Sequence, residues 1–330
     1  MNAQQDAISF CWWNLHDFAH FDPNLASDSR RPKRDIDFEA KRDRILAALR
    51  ELFAGGYPDL LAVCEITREA ATDLSQRMGT AFDIAVAPTY PHDDGFQVAV
   101  IFRKDIGFSA DTPLLAEDVS EETRPMIAVR FRRGDTVIRF VACHWTSFDS
   151  PQSRKMRRRL ADYISRDTYE FLQPNNQAGP LNHHTVILGD LNIEPTSPIF
   201  EEDLAAFRDH DSSRWVHWRD RNQRRVRLYN AAWRYIGEQM AYGGGVPAPG
   251  LAGTFYNKTL GWRTFDHLII SGGLLDVPPP YLDEANTRIA VTNPMRSPDG
   301  TPKPFDSVGS SGISDHLPIV GKIVLSEDGK

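Results

Sequence analysis

Six short apolar runs, spread from one end of the chain to the other, are each bounded by an acid, an amide or an imidazole. They are "FCWWNLHDF" with Asn14, "DLLAVCEIT" with Glu65, "IRFVACHWTSF" with His144, "TVILGDLNIEP" with Asp190 and Asn192, "TFDHLIIS" with Asp266, and "SDHLPIV" with Asp315 and His316. A short apolar run of this kind reads as a buried strand whose polar end faces a cleft. One such run constrains little. Six point to strand ends meeting at one site rich in carboxylate, amide and imidazole groups. That donor set suits a hard divalent cation and phosphoryl chemistry.

The runs also set the architecture. Ile8 to Trp13 is mostly apolar, as expected of a strand buried on both faces. Polar residues 18 to 36 read as a loop over its end. Ile45, Leu49, Leu52 and Phe53 recur at helical spacing, which predicts a helix over 38–53 with Asp37 as its N-cap, stopped by Gly55-Gly56. A strand over 60–64 and a helix over 67–78 follow. Shorter strands are expected over 82–87, 97–102, 126–131 and 137–143, the last two joined by a hairpin at Arg133-Gly134-Asp135. Residues 151–172 read as a long amphipathic helix, 185–188 as a buried strand and 195–207 as a helix. For 228–236 periodicity leaves helix and strand equally open. Residues 241–253 and 291–312 read as Gly- and Pro-rich loops, with strands over 265–270 and 317–325. Helices and strands that alternate early, with strands clustering later, give an α/β class with mixed sheets.

With 330 residues, 41% of them hydrophobic, the chain can bury a large core. That length allows one or two domains; site residues reaching from Asn14 to His316 favour a single domain over 1–330. Cys11, Cys64 and Cys143 lie inside apolar runs without metal-type spacing, so buried free thiols are expected. Neither a signal peptide nor a stretch near the ~20 apolar residues of a membrane helix is visible, so a cytoplasmic setting is the default expectation. A formal net charge of -7 argues against a general electrostatic hold on nucleic acid but leaves room for a local basic face.

"VILGDLNIEP" is the strongest local signal. Gly189 lets the chain turn after the strand. Asp190 and Asn192, two apart, point the same way on an extended backbone. A carboxylate beside an amide can take a proton from water and hold that water in place. Read alone, the segment is equally a strand-end turn with Asp and Asn as turn formers. Asp315-His316 is likewise either a ligand pair or an Asx turn, and His144 and Asp266 each have a plain structural reading. Glu65 is more telling, because an acid closing "LLAVC" is costly in a core unless paired or bound to a cation.

Together, the first-strand Asn, second-strand Glu, central His, Gly-Asp-x-Asn, late Asp and terminal Ser-Asp-His resemble the endonuclease/exonuclease/phosphatase superfamily, the DNase I-like or exonuclease III-like phosphoesterases, in order along the whole chain. The resemblance implies a four-layer α/β sandwich of two packed mixed sheets flanked by helices. It also implies Mg²⁺ or Mn²⁺, and phosphoester hydrolysis by in-line attack of water. Glu65 would be the main metal ligand, with Asn14 beside it and Asp315 completing the metal side. Asp190 would activate the water, Asn192 would position it, His144 and His316 would stabilise phosphoryl charge, and Asp266 would orient His316. Many nucleases of the family carry an acid two residues after the first-strand Asn; here that position is His16, followed by Asp17, and their roles stay open. Arg124 matches a position that some members use near phosphate.

Two basic stretches bear on the substrate. Arg154, Lys155, Arg157, Arg158 and Arg159 open the long helix, and Arg219, Arg221, Arg224, Arg225 and Arg227 lie among Trp215, Trp218, Tyr229 and Trp233. Arginine among aromatics is the composition of a base-stacking surface, though a solvated charged face with packing tryptophans has the same composition. A nuclease with nucleic acid as substrate, bound through Arg224, Arg225 and Arg227, is the first expectation. A phosphatase or phosphodiesterase acting on a nucleotide, inositol phosphate or lipid headgroup is the second, and a catalytically dead binding module the third.

Overall fold

The structure is a computed structural model that describes residues 6–19, 35–88, 97–111, 126–147, 150–172, 182–214, 225–237, 250–306 and 308–326. The strands are β1 (Asp6–Phe18), β2 (Leu60–Ile66), β3 (Phe82–Val86), β4 (Gln97–Arg103), β5 (Phe108–Ala110), β6 (Ile127–Arg133), β7 (Thr136–His144) and β8 (His183–Asp190). They continue as β9 (Ala206–Phe207), β10 (Leu228–Asn230), β11 (Phe255–Asn257), β12 (Gly261–Arg263), β13 (Asp266–Ser271), β14 (Tyr281–Leu282), β15 (Arg288–Ile289) and β16 (Ile319–Ser326). The helices are α1 (Asp35–Leu52), α2 (Arg68–Met78), α3 (Pro151–Leu172) and the single turn α4 (His210–Ser213).

One sheet runs β14-β16-β1-β2-β4-β3, with β15 also on β16; the other runs β5-β6-β7-β8-β13-β10-β9. Both mix parallel and antiparallel pairs: β1 is parallel to β2 and antiparallel to β16, and β8 is parallel to β7 and antiparallel to β13. The sheets face each other across a core in which Phe10 meets Phe140 and Phe102 meets Phe108, with ring centroids 6.2 and 6.1 Å apart. Met156, Leu160 and Ile164 of α3 cover Val141, Cys143 and Ile187 on the far face of the second sheet. α1 and α2 cover the first sheet, so the order of layers is helix, sheet, sheet, helix.

Most elements fall where the apolar spacing puts them, and the differences have physical causes. α1 begins at Asp35, so Asp37 lies inside the helix and is not its cap. Thr67 caps α2, its side chain accepting from the Ala70 N–H. The helix expected over 195–207 is cut to a π-turn at Phe200–Leu204. Ala205 is left-handed there, and Ala206–Phe207 peels off to pair with Leu228–Tyr229, so sheet pairing overrides helical spacing. The undecided segment 228–236 is both kinds of structure, β10 followed by a 3-10 turn over Ala231–Tyr235. Of the expected loop over 241–253, residues 241–249 lie outside the described residues. Cys11, Cys64 and Cys143 are buried and take part in no disulfide.

Two buried histidines tie stability to pH. Among the described residues neither ring nitrogen of His184 has a hydrogen-bond partner, and a Cβ on Gly273 would lie 3.1 Å from the ring. Burial, with His183 beside it, pushes His184 down to about 4, and burial does the same to His267 despite its bond to the Ile193 carbonyl. An unfolded imidazole protonates near 6.5, so the unfolded state binds more protons between the two values. The stability is therefore full above about pH 6.5 and is lost as pH falls towards 4, up to about 3 kcal/mol per ring. His184→Leu removes one of these terms. Between pH 7 and pH 5 the variant should lose about 2 kcal/mol less than the wild type in urea unfolding. Equal losses would rule out His184 as a source of the acid sensitivity.

Candidate active site

Alternation along the strands brings the polar ends together. Phe10, Trp12 and Asn14 share the face of β1 that looks at the second sheet. On that sheet His144, Asp190 and Asp266 are register partners across β7, β8 and β13. They end the inward-facing series Phe140-Ala142, Val186-Leu188 and Leu268-Ile270. The polar groups thus line one end of the slot between the sheets.

Glu65 reaches this slot only because β2 breaks its own pattern. Asn14 pairs with Cys64, so strict alternation would aim Glu65 at the opposite face. The register shifts between Cys64 and Ile66, and Glu65 adopts a left-handed φ of 55°. Such a bulge re-aims a side chain, and left-handed backbone at a non-glycine residue costs about 1–3 kcal/mol. The Asn14 amide Nδ2 donates to Glu65 Oε1 and Asp190 Oδ2, both at 3.0 Å. His16 and Asp17 are also left-handed, at 47° and 55°, and wrap this corner. The His16 N–H donates to Asn14 Oδ1, and the Asp17 N–H to Glu65 Oε2.

Left-handed backbone recurs at Asn192, with φ 52°. Its N–H donates to Asp190 Oδ1 at 2.9 Å and its amide Nδ2 to the Trp145 carbonyl at 3.0 Å. The two residues therefore meet through a turn and not through an extended chain. Gly189 does not make that turn; it lies within β8, where a Cβ would come 2.6 Å from Cys143 Sγ. Its missing side chain permits close approach of β7.

His316 Nδ1 lies 2.7 Å from Asp266 Oδ2, and Asp266 Oδ1 accepts from Trp12 Nε1 at 2.7 Å. Burial opposes charge on His316, but Asp266, and then Asp190, push it up to about 10. Burial likewise raises Asp266, yet His316 and its hydrogen bonds hold the carboxyl below its usual range. The two form an ion pair. Asp190 is pushed up to about 7, first by burial and next by Asp266, against the lowering influence of His316 and Asn14. His316 Nε2 stands 3.7 Å from Asp190 Oδ2, and His144 Nε2 3.7 Å from Glu65 Oε1 and 3.9 Å from Asp190 Oδ2. A carboxyl poised near neutrality between two imidazoles can accept a proton from water.

The residues fit a divalent cation. Glu65, His144 and Asp190 each present a ligand atom within 4.8 Å of one another. Asp315 Oδ1 is buried with no hydrogen-bond partner among the described residues, 3.7 Å from His16 Nδ1. Carboxylate oxygens with an imidazole at the rim suit Mg²⁺ or Mn²⁺. Asp190, Asp266 and His316 are equally close together, but there the imidazolium already balances Asp266.

Three contributors escape the apolar-run pattern. Trp12 anchors Asp266 through a side chain that counts only as core. Ser314 donates to the Asn14 carbonyl and accepts from the His316 N–H, joining β1 to the last motif. Lys41 of α1 is buried and donates to the His16 carbonyl. Its position, three after Phe38 and four before Ile45 in the buried stripe, was the signal.

Of the expected substrate-binding arginines, the two among the described residues have partners elsewhere in the chain. Arg225 pairs with Asp162 at 2.8 Å and donates to the Glu202 carbonyl; Arg227 donates to the Ser212 carbonyl and covers the Phe207 ring. In α3, buried Arg157 donates to the Thr146 carbonyl, and Arg158 pairs with Glu202 and Asp203. Arg124, Arg219, Arg221, Arg224, Trp215 and Trp218 lie outside the described residues.

The fold has counterparts among solved structures. The chain is similar to an endonuclease/exonuclease/phosphatase from Bacteroides vulgatus, with 12% identity and TM-score 0.57 over 98% of this chain and 100% of the other. It is similar to a Bacteroides thetaiotaomicron mannosyl-6-phosphatase, with 15% identity and TM-score 0.54 over 96% and 100%. It is also similar to D. rerio TDP2 complexed with a single-strand DNA product, with 13% identity and TM-score 0.53 over 96% and 98%. At these identities the likeness establishes the DNase I-like α/β fold. No curated protein matches the sequence. The sequence profile of the Endonuclease/Exonuclease/phosphatase family matches residues 11–316, nearly the whole chain, and the chain belongs to that family.

Proposed function

We propose that the protein is a Mg²⁺- or Mn²⁺-dependent phosphodiester hydrolase that cuts nucleic acid by in-line attack of water. The observation that carries the hydrolytic reading is the placement of Asp190, a carboxyl pushed up to about 7, between His316 and the Glu65–His144 pair. Asp190 accepts the proton of the attacking water, held by Asn14 Nδ2 and the Asn192 N–H. His316, kept protonated by Asp266, presents a positive N–H to the phosphoryl oxygens. His144 faces the same space from β7. Glu65, Asn14 and Asp315 would hold the metal ion, which supplies Lewis-acid polarisation of a phosphoryl oxygen.

Beside His316, half-buried Phe255 stacks on Phe265 with centroids 5.4 Å apart and meets the imidazole at 4.8 Å. An aromatic face next to the reacting phosphate suits a stacked nucleobase, which supports a nucleic-acid substrate. A second reading, a phosphatase acting on a small phosphorylated molecule, draws support from the intrachain partners of Arg225 and Arg227. Purified protein with Mg²⁺ should cleave single-stranded oligonucleotides and leave hexose phosphates and inositol phosphates intact. Phosphate release from the small esters, with oligonucleotides untouched, would move the assignment to the second reading.

No helix among the described residues is long and apolar enough to cross a membrane.

A further inference from the structure

Consecutive tryptophans of β1 hold His316 at two different points. Neighbouring residues of a strand point to opposite faces, yet both indoles direct their N–H toward this residue. Trp13 Nε1 donates to the His316 carbonyl at 3.0 Å and so holds the main chain. Trp12 Nε1 donates to Asp266 Oδ1 at 2.7 Å, and the other oxygen of that carboxylate, Oδ2, lies 2.7 Å from His316 Nδ1. Trp12 and Asp266 are both fully buried. β1 belongs to the first sheet and β13 to the second, so the Trp12 bond crosses the slot between them.

The far end of this chain of hydrogen bonds is His316 Nε2, 3.7 Å from Asp190 Oδ2. The terminal torsion of an aspartate is broad, so a partner on one oxygen alone does not set the plane of the carboxylate. A partner on each oxygen does. Thr254, whose Oγ1 accepts from the Asp266 N–H at 3.2 Å, also acts on the carboxylate, but a hydroxyl can turn its proton elsewhere. Indole nitrogen is a donor only, and the Trp12 ring is fixed by the core around it.

We propose that Trp12 is a positioning residue for the hydrolytic reaction, whose indole N–H fixes the plane of the Asp266 carboxylate and thereby aims His316 Nε2 at the phosphoryl group. The inference rests on the proposed function above, in which His316 acts on the phosphoryl oxygens. Trp12 touches no reacting group and works through Asp266. A tryptophan that only fills the core would affect the rate by the same factor whether or not His316 is present.

A double-mutant cycle of Trp12→Phe and His316→Ala separates the cases, read as turnover of bis(p-nitrophenyl) phosphate by the full chain with Mg²⁺. Trp12→Phe should lower kcat about ten- to hundred-fold, the range for losing a group that orients a working residue, with KM unchanged. In the His316→Ala background the same substitution should change kcat by less than about two-fold, because no imidazole is left to aim. Equal losses in both backgrounds, or an unchanged kcat in Trp12→Phe, would overturn the inference. Mn²⁺ affinity, followed by electron paramagnetic resonance, should match the wild type in Trp12→Phe; weaker binding would place the effect at Asn14 and overturn it too. If Trp12→Phe does not fold, site-specific replacement of Trp12 by 3-benzothienylalanine, with sulfur in place of the N–H, tests the same bond and carries the same expected and contrary results. Full turnover in His316→Ala, or none in the wild type, would instead overturn the reading on which the inference rests, and the role of Trp12 with it.

Discussion

Asp190→Asn should lower turnover by about three to four orders of magnitude, within the range for loss of a general base. The substitution keeps the shape and the hydrogen bond from the Asn192 N–H while removing the group that accepts the proton. His316→Ala should cost a comparable factor, since it removes the imidazolium and leaves Asp266 as a buried carboxylate that keeps its hydrogen bond from Trp12 Nε1. His316 Nε2 stands 3.7 Å from Asp190 Oδ2, and in the proposed mechanism both would act on the same phosphoryl group in the same step. The double variant should therefore be little slower than the worse single one, because residues acting as a unit are strongly non-additive. Single-turnover rates of the four proteins give the answer. Losses that multiply would show that the two residues serve separate steps.

Glu65→Gln should weaken Mn²⁺ binding by at least about ten-fold and lower turnover with it, because it takes a full negative charge from a hard-cation site. The variant keeps the acceptor oxygen that the Asn14 amide reaches at 3.0 Å, so the left-handed corner at Glu65 should survive. Unfolding midpoints should change little, since the carboxylate is partly exposed and faces its own pocket neighbours. Unaltered Mn²⁺ affinity in Glu65→Gln would remove Glu65 from the metal site.

What the sequence made legible here is whatever follows from strict periodicity. Asn14, His144, Asp190 and Asp266 were findable because each continues an inward-facing series along an apolar strand. Glu65 and Asn192 are legible as residues, but the way each reaches the site is not, because there the backbone departs from a regular period. Glu65 faces the pocket through a bulge that no alternation predicts, and Asn192 meets Asp190 through a left-handed turn and not by lying two residues on along a strand. Gly189 reads as a turn residue in "ILGDLN", yet it serves strand approach, a property of Cys143 across the sheet. The expected helix over 195–207 fails because Ala206 and Phe207 find a sheet edge distant in sequence. The basic stretch around Arg225 reads as a surface until Asp162, 63 residues away in sequence, is seen to hold its guanidinium.

Hydrolysis of a phosphoester in the pocket lined by Glu65, Asp190 and His316, with the help of a divalent ion, can be followed as wild-type turnover of an activated phosphodiester, bis(p-nitrophenyl) phosphate, in excess EDTA and again after Mg²⁺ is restored. Activity should be lost in EDTA and recover fully with Mg²⁺. Undiminished turnover in EDTA would contradict it.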